Sequence, residues 1–144
     1  MSYETTNPAG AKAMLEGDDA VVFIDVRTVR EHVAGHVNGA YNVPIFEADA
    51  MGRMTPNNAF LSIVQRHFDP SRQLILGCEI GKRSAMACQV LADAGYTALT
   101  NMHGGFRGWP EMDGSISEPG WEACGFPTSV ETQDKRSYED LQDE

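Results

Sequence analysis

The sequence is short of positive charge. Its 144 residues include 11 lysines and arginines against 21 aspartates and glutamates, a formal net charge of −10. Such a surface repels phosphate backbones, so nucleic acid is not expected as a partner. It also repels small anions at long range, so an anionic substrate requires a locally positive pocket. Long apolar runs are missing too: none approaches the roughly 20 residues that span a bilayer, and no membrane partner is expected. The first residues, "MSYETTNPAGAKAMLEGDD", lack a basic region followed by an apolar one, so no secretory signal is read there and a cytoplasmic protein is expected. Cysteine is scarce: Cys78, Cys88 and Cys124. An odd number at wide spacing suggests neither a disulfide framework nor a paired zinc motif. Free thiols in a reducing compartment fit better, and the ordinary expectation for each is a small buried apolar side chain.

What remains is an ordinary globular composition, 42% hydrophobic and 22% charged, in a chain long enough for one core. "TNPAGAKAMLEGDD" reads as a short helix capped by Asn7, with Pro8 at its first turn and Gly17 at its end. "AVVFIDV" (20–26) and "QLILGC" (73–78) are continuous apolar runs that suit strands covered on both faces. "TVREHVAG" reads as a brief helix closed by Gly35, and "GAYNVP" (39–44) and "ALTNM" (98–102) read as short strands. Residues 45–56 have weak periodicity and read as a loop, whereas 57–68 carry Phe60, Ile63, Val64 and Phe68 at helical spacing, with Asn57 as cap. "RSAMACQVLADAG" predicts a helix with Ala87, Val90, Leu91 and Ala94 on one face, Met86 and Cys88 at its edges. "HGGFRGWPEM" predicts a turn and short helix. Strands alternating with helices predict an α/β, three-layer sandwich around a mostly parallel central sheet of about five strands. One domain is expected over residues 1–128, followed by a loosely ordered acidic tail over 129–144.

The stretch "LILGCEIGKRS" (74–84) carries the chemistry. A thiol stands where a buried strand ends, and in parallel sheets ligands sit beyond that end. The chain must then bend into a helix beginning near Arg83. Gly81 permits the bend. A curled loop entering a helix N-terminus turns several N–H groups inward and forms an anion nest. Lys82 and Arg83 add full charges. This setting favours a thiolate at Cys78, and the thiolate is the nucleophile. Glu79 works against it, since a carboxylate beside a thiolate repels it and any anionic ligand, unless solvent screens the charge.

Three ordered segments resemble one family. "DVRTVREHVAGHVNGAYNVP" (25–44) resembles the first signature of rhodanese-like domains: Asp-x-Arg, then Glu, then Gly-His and Gly-Ala-x-Asn-x-Pro. The Cys78 loop resembles the second, Cys-x-x-Gly-x-Arg-Ser, and "GGFRGW" (104–109) resembles the third. The resemblance covers roughly residues 3–110 and implies a single-domain sulfurtransferase that moves a sulfane sulfur from thiosulfate or a persulfide donor to a thiol or cyanide through a cysteine persulfide. Carried onto this chain, Cys78 is the nucleophile. The backbone of Glu79, Ile80, Gly81, Lys82, Arg83 and Ser84 cradles the transferred sulfur and the donor, with Lys82 and Arg83 orienting its anionic end. No metal or organic cofactor is implied. The partners implied are a small anionic sulfur donor and a thiol acceptor, or a partner protein carrying a persulfide.

Four residues separate Cys78 from Arg83. The related phosphatases and arsenate reductases place one residue more there, and Gly77 stands where tyrosine phosphatases carry histidine. Phosphate chemistry is therefore disfavoured. The other alternative is a non-catalytic module that senses a persulfide or binds a protein. Outside the loop, Asp25 and Arg27 are read as a bracing ion pair, His36 as a turn-stabilising hydrogen bonder, Cys88 as packing, and Phe106 and Trp109 as core anchors. Phe46 is placed at the pocket mouth. His103 is open between a site and a structural role, and Cys124 between a resolving thiol and a plain one.

Overall fold

The apolar runs become the middle of a sheet. In the computed structural model, which describes residues 2–131 and 135–143, the elements run β1 (Glu4–Thr6), α1 (Pro8–Gly17), β2 (Val22–Asp25), α2 (Val29–Ala34), β3 (His36–Val37), β4 (Tyr41–Asn42), β5 (Phe46–Ala48) and β6 (Met54–Pro56). They continue with α3 (Phe60–His67), β7 (Leu74–Gly77), α4 (Lys82–Asp93), β8 (Leu99–Met102), β9 (Gly108–Pro110), β10 (Ile116–Pro119), β11 (Thr128–Ser129) and α5 (Tyr138–Asp143). Five strands form the central sheet in the order β1-β8-β7-β2-β4. Every pair in it is parallel. The expected α/β sandwich is the observed one, and all carboxyl ends open on one side.

Alternation along the strands builds the two outer layers. Val22, Ile24, Leu74 and Leu76 pack with α3, α4 and α5, whereas Val21, Phe23, Ile75 and Met102 pack with Ala11 of α1, Phe106 and Trp121. β2 and β7 are buried on both faces, which is why their sequences are continuous apolar runs. The register sets Ile24 against Leu76 and Asp25 against Gly77. Asp25 therefore ends level with the strand that delivers Cys78.

Helix signals behave as expected at α1, where Asn7 accepts the Gly10 N–H at 2.8 Å. On α4 the buried face is Ser84, Ala87, Cys88, Leu91 and Ala92. Val90 and Met86, expected on or beside it, are 38% and 51% exposed. The face contains a serine because Ser84 turns toward the cysteine loop, so apolar periodicity alone misplaces it.

Three expectations need correction. Residues 45–56 are not a loop: β5 and β6 pair antiparallel, Phe46 opposite Pro56. Both strands are three residues long and mostly exposed, so they carry no period-2 apolar signal. The short helix expected after His103 is a turn followed by β9, which pairs with β10. Gly104 and Gly105 hold φ of +94° and +59°, a left-handed path that no helix continues. The acidic end is not wholly loose. Tyr138 and Leu141 of α5 are 6% and 2% exposed within the main core. Asn57, expected to cap α3, donates to the Tyr138 hydroxyl at 2.9 Å, and the Leu141 carbonyl faces His67 Nε2 at 2.8 Å. Residues 132–134 of that segment lie outside the described residues. The sequence of α5 reads as polar because only two of its six side chains face the core.

This docking has a measurable consequence. Leu141→Ala removes a buried side chain from the core, with an expected cost of about 2–4 kcal/mol in urea-induced unfolding. A tail that contributed nothing would leave the midpoint unchanged.

Candidate active site

Strand β7 delivers Cys78 to the carboxyl edge of the sheet, and the chain curls through Glu79, Ile80 and Gly81 into α4. Gly81 is the residue before the first helical turn. Having no side chain, it cannot cap the orphan N–H groups there. The cysteine sulfur supplies the acceptor. Cys78 Sγ receives the Ser84 N–H at 3.3 Å and the Gly81 N–H at 3.1 Å, which places it where a capping oxygen ordinarily sits. Among the described residues the N–H groups of Glu79, Ile80, Lys82 and Arg83 donate to no protein acceptor. The positive end of the helix dipole thus faces the sulfur of a residue that is only 2% exposed.

The curl is held from outside by the third signature. The N–H groups of Phe106, Arg107 and Gly104 donate to the carbonyls of Cys78, Glu79 and Ile80 at 2.8, 2.8 and 2.9 Å. A trans peptide directs its C=O and N–H to opposite sides. Carbonyls tied outward therefore force the next N–H groups inward, among them the Gly81 N–H that meets the sulfur. The backbones approach so closely that a Cβ on Gly105 would lie 2.5 Å from the Cys78 and Glu79 carbonyl oxygens. Gly81, at φ +120°, leaves only 3.2 Å between a would-be Cβ and His103 Cα.

Asn101 on β8 was not singled out by its sequence, yet it locks the loop. Its Oδ1 accepts the Ser84 hydroxyl at 2.6 Å and its Nδ2 donates to the Gly81 carbonyl at 3.3 Å. A serine hydroxyl has one hydrogen. With that hydrogen committed to Asn101, the 3.4 Å contact between Cys78 Sγ and Ser84 Oγ is a hydrogen bond only when the thiol donates.

The charges around the loop are paired. Glu79 does not project freely into solvent: Arg27 Nη1 donates to it at 2.6 Å, and Arg107 Nε forms an ion pair with it at 3.1 Å. Arg27 is buried, chelates Asp25 through Nε and Nη2 at 2.9 Å each, and lies 4.6 Å from the Phe106 ring centre. Asp25 also meets His32 Nδ1 at 2.7 Å. Burial alone would raise the Asp25 carboxyl; the His32 hydrogen bond and the Arg27 charge outweigh it and hold the group below its ordinary value. The expected brace of Asp25 and Arg27 is present. His36 fills its structural role, with Nδ1 2.8 Å from the His32 carbonyl and Nε2 3.1 Å from that of Glu131. Burial, above all, holds its imidazole below the ordinary range.

Arg83 does not point at the sulfur. Its two terminal nitrogens clamp both oxygens of Glu31 at 2.7 and 2.9 Å. Burial opposes the Arg83 charge, but the Glu31 hydrogen bonds outweigh it and hold Arg83 above its ordinary value. This pair forms part of the wall of a groove of about 470 Å³ lined also by Val29, Met54 and Tyr138. Phe46, placed at the mouth from sequence, packs on the core instead, and its neighbours Glu47 and Ala48 line the groove. Lys82 is exposed, its Nζ 5.6 Å from the Trp109 ring centre. Trp109 is half-buried rather than a core anchor and packs on His103 at 4.5 Å between ring centres, while Phe106 and Trp121 fill the core. Cys88 is fully buried and Cys124 exposed, and all three cysteines are free.

The network has a pH signature. A carboxyl with a depressed folded value adds stability above its unfolded value and loses it as pH falls through the folded one. Asp25→Asn should cost about 3–5 kcal/mol at neutral pH, because it removes one partner of a buried pair. The difference from the parent protein should begin to shrink below the ordinary value of 3.8. Denaturant titrations of both proteins across acidic pH read this directly.

Comparison with known proteins places the geometry in a wider set. The family model described as "Rhodanese-like domain" matches residues 7–112. The rhodanese-like domain-containing protein 15 of Arabidopsis thaliana, chloroplastic, is 40% identical over 96 residues, 67% of this chain and 52% of that protein, so the chain spans about half its length. Thiosulfate sulfurtransferase 16 of the same plant, also chloroplastic, is 41% identical over 60% of this chain and 72% of that protein. The crystal structure of Rv0390 from M. tuberculosis superposes with a TM-score of 0.75 at 28% identity, covering 90% of this chain and all of that one. A match across most of the chain, on a fold whose sheet edge presents the signature loop, establishes that this protein belongs to the rhodanese-like domain family.

Proposed function

We propose that the protein is a sulfurtransferase that carries a sulfane sulfur as a persulfide on Cys78. The observation that carries this reading is the convergence of the Gly81 and Ser84 N–H groups on Cys78 Sγ. Fixed donors at a helix N-terminus stabilise the thiolate, and further N–H groups of the same loop, without protein acceptors among the described residues, are left to stabilise the negative charge of an added sulfur. Membership of a family with a relative named thiosulfate sulfurtransferase supports thiosulfate as donor.

The step balances simply. The Cys78 thiolate attacks the outer sulfur of thiosulfate, a sulfur–sulfur bond forms, and the donor's own sulfur–sulfur bond breaks. Sulfite leaves with that electron pair, and the charge is then carried on the terminal persulfide sulfur. A thiolate acceptor, or cyanide, attacks this terminal sulfur and returns Cys78 as thiolate. The catalysis is covalent, with preorganised dipoles as its support. A persulfidated protein serves as donor by the same exchange.

Cys88 stays out of this chemistry. Burial, with the nearby Cys78 charge, pushes its thiol up to about 12, which keeps it protonated at neutral pH. Incubation with thiosulfate should therefore add one sulfur atom to Cys78, seen by intact mass and peptide mapping, and cyanide should discharge it as thiocyanate. Cys78→Ser should abolish both and Cys124→Ser neither. Absence of an adduct on Cys78 with thiosulfate and with polysulfide would sink the reading in favour of a non-catalytic binding module.

A further inference from the structure

A second cavity opens at the edge of the sheet opposite Cys78. Its volume is about 290 Å³, and its wall includes Leu15, Asp19, Val21, Tyr41, Arg72 and Arg136. Val21 precedes β2, Tyr41 opens β4 and Arg72 stands just before β7. These strands are parallel, so the cavity lies at their amino ends and Cys78 beyond their carboxyl ends. Its size suits a small molecule.

Both guanidiniums are held by backbone of the cavity rim. Arg72 Nε donates at 2.8 Å to the carbonyl of Ala20, which joins Asp19 to Val21. Arg136 Nη1 donates to the Gly39 carbonyl at 2.6 Å, and its guanidinium carbon lies 4.7 Å from the centre of the Tyr41 ring. A guanidinium carries five N–H donors, so each arginine keeps most of them for another partner. Among the described residues neither forms an ion pair, whereas Arg27, Arg53, Arg83 and Arg107 all do. In a chain with 21 acidic residues against 11 basic ones, two unmatched arginines on one cavity point to an acceptor supplied from outside. Asp19 is the acidic residue of the lining.

We propose that this cavity binds a small organic monoanion, a carboxylate on a compact apolar body, with Arg72 and Arg136 as its anion-binding residues. The inference goes beyond the sulfur-transfer reading and does not depend on it. A planar carboxylate matches the fork of a guanidinium. Two guanidiniums against the Asp19 carboxylate leave one net positive charge, which a single carboxylate neutralises. A phosphate monoester carries most of a second charge, which would face Asp19 unmatched. Leu15, Val21 and the Tyr41 ring favour an apolar body over a bare inorganic ion. Because backbone carbonyls already hold both arginines, little side-chain freedom is lost when the ligand arrives.

Titration of the ¹⁵N-labelled full chain with sodium benzoate at constant ionic strength should shift the backbone amides of Asn38, Gly39, Tyr41 and Arg72, and the shifts should saturate. Arg72→Gln and Arg136→Gln should each weaken binding about tenfold. Arg72 is exposed, so its replacement leaves the core intact. Asp19→Asn should tighten binding, an effect that loss of structure cannot produce. Cys78→Ser should bind benzoate as the parent does. Benzyl alcohol, a neutral counterpart, should leave these amides unmoved, and phenyl phosphate should bind more weakly than benzoate. Equal binding of benzyl alcohol would mean that the cavity reads no charge, and tighter binding of phenyl phosphate would make it a phosphate site. Unchanged affinity in both arginine variants would place benzoate elsewhere. Each of these results overturns the assignment, as does the absence of any shift at these amides.

Discussion

The site depends on three backbone hydrogen bonds. Phe106, Arg107 and Gly104 draw the carbonyls of Cys78, Glu79 and Ile80 away from the loop interior, and planar peptides then have no choice but to turn the following N–H groups inward. The concentration of inward dipoles at the sulfur is thus a consequence of what happens on the loop's outer side. The Gly104–Gly105 pair belongs to the same constraint. A Cβ at Gly105 would meet carbonyl oxygens at 2.5 Å, and the loop would lose the backing that curls it. Two segments some 25 residues apart in the chain act as one structural unit because β7 and β8 are adjacent and parallel, so both exit on the same edge.

Charge pairing forms the second shell of organisation. Arg27 is its hub, joining the end of β2 through Asp25 to the loop through Glu79 and to the α2 end through the Gly35 carbonyl. Buried ion pairs of this kind contribute less net stability than their geometry suggests, because desolvation offsets much of the attraction. What they do supply is geometry: each removes a charge that would otherwise swing toward the sulfur. Glu79 is the clearest case. Beside a thiolate an unpaired carboxylate would repel both the nucleophile and an anionic donor. Held by Arg27 and Arg107, it becomes a strut of the loop wall.

Much of the fold was legible from one-dimensional pattern. The continuous apolar runs around Ile24 and Ile75, the Asn7–Pro8 helix start and the alternation of strand with helix identify a parallel sheet without any long-range information. What escaped was structure whose signal is not apolar periodicity. Strand β1 is three residues of an edge with two exposed side chains. The β5–β6 hairpin is nearly all exposed, and α5 shows the core only Tyr138 and Leu141. Trp109 illustrates the converse error: a large aromatic residue is expected inside, yet it serves as a half-exposed platform for Lys82 while Trp121 takes the buried position.

For the site, the sequence by itself determined the nucleophile candidate, the glycine that permits the curl and the count of residues between Cys78 and Arg83, because these are local properties of one short loop. Which side chains face that loop was decided by tertiary structure alone. Asn101 comes from the neighbouring strand β8, Glu31 from helix α2 that follows the other neighbouring strand, β2, and Arg107 from the segment that backs the loop. None is marked in the sequence as a partner of Cys78, since their proximity follows from strand order and register. The same physics divides the two adjacent cations. As sequence, Lys82 and Arg83 are equivalent positive charges. In the fold, Arg83 turns along α4 toward Glu31 and Lys82 turns outward over Trp109, because neighbouring residues on a helix point about 100° apart.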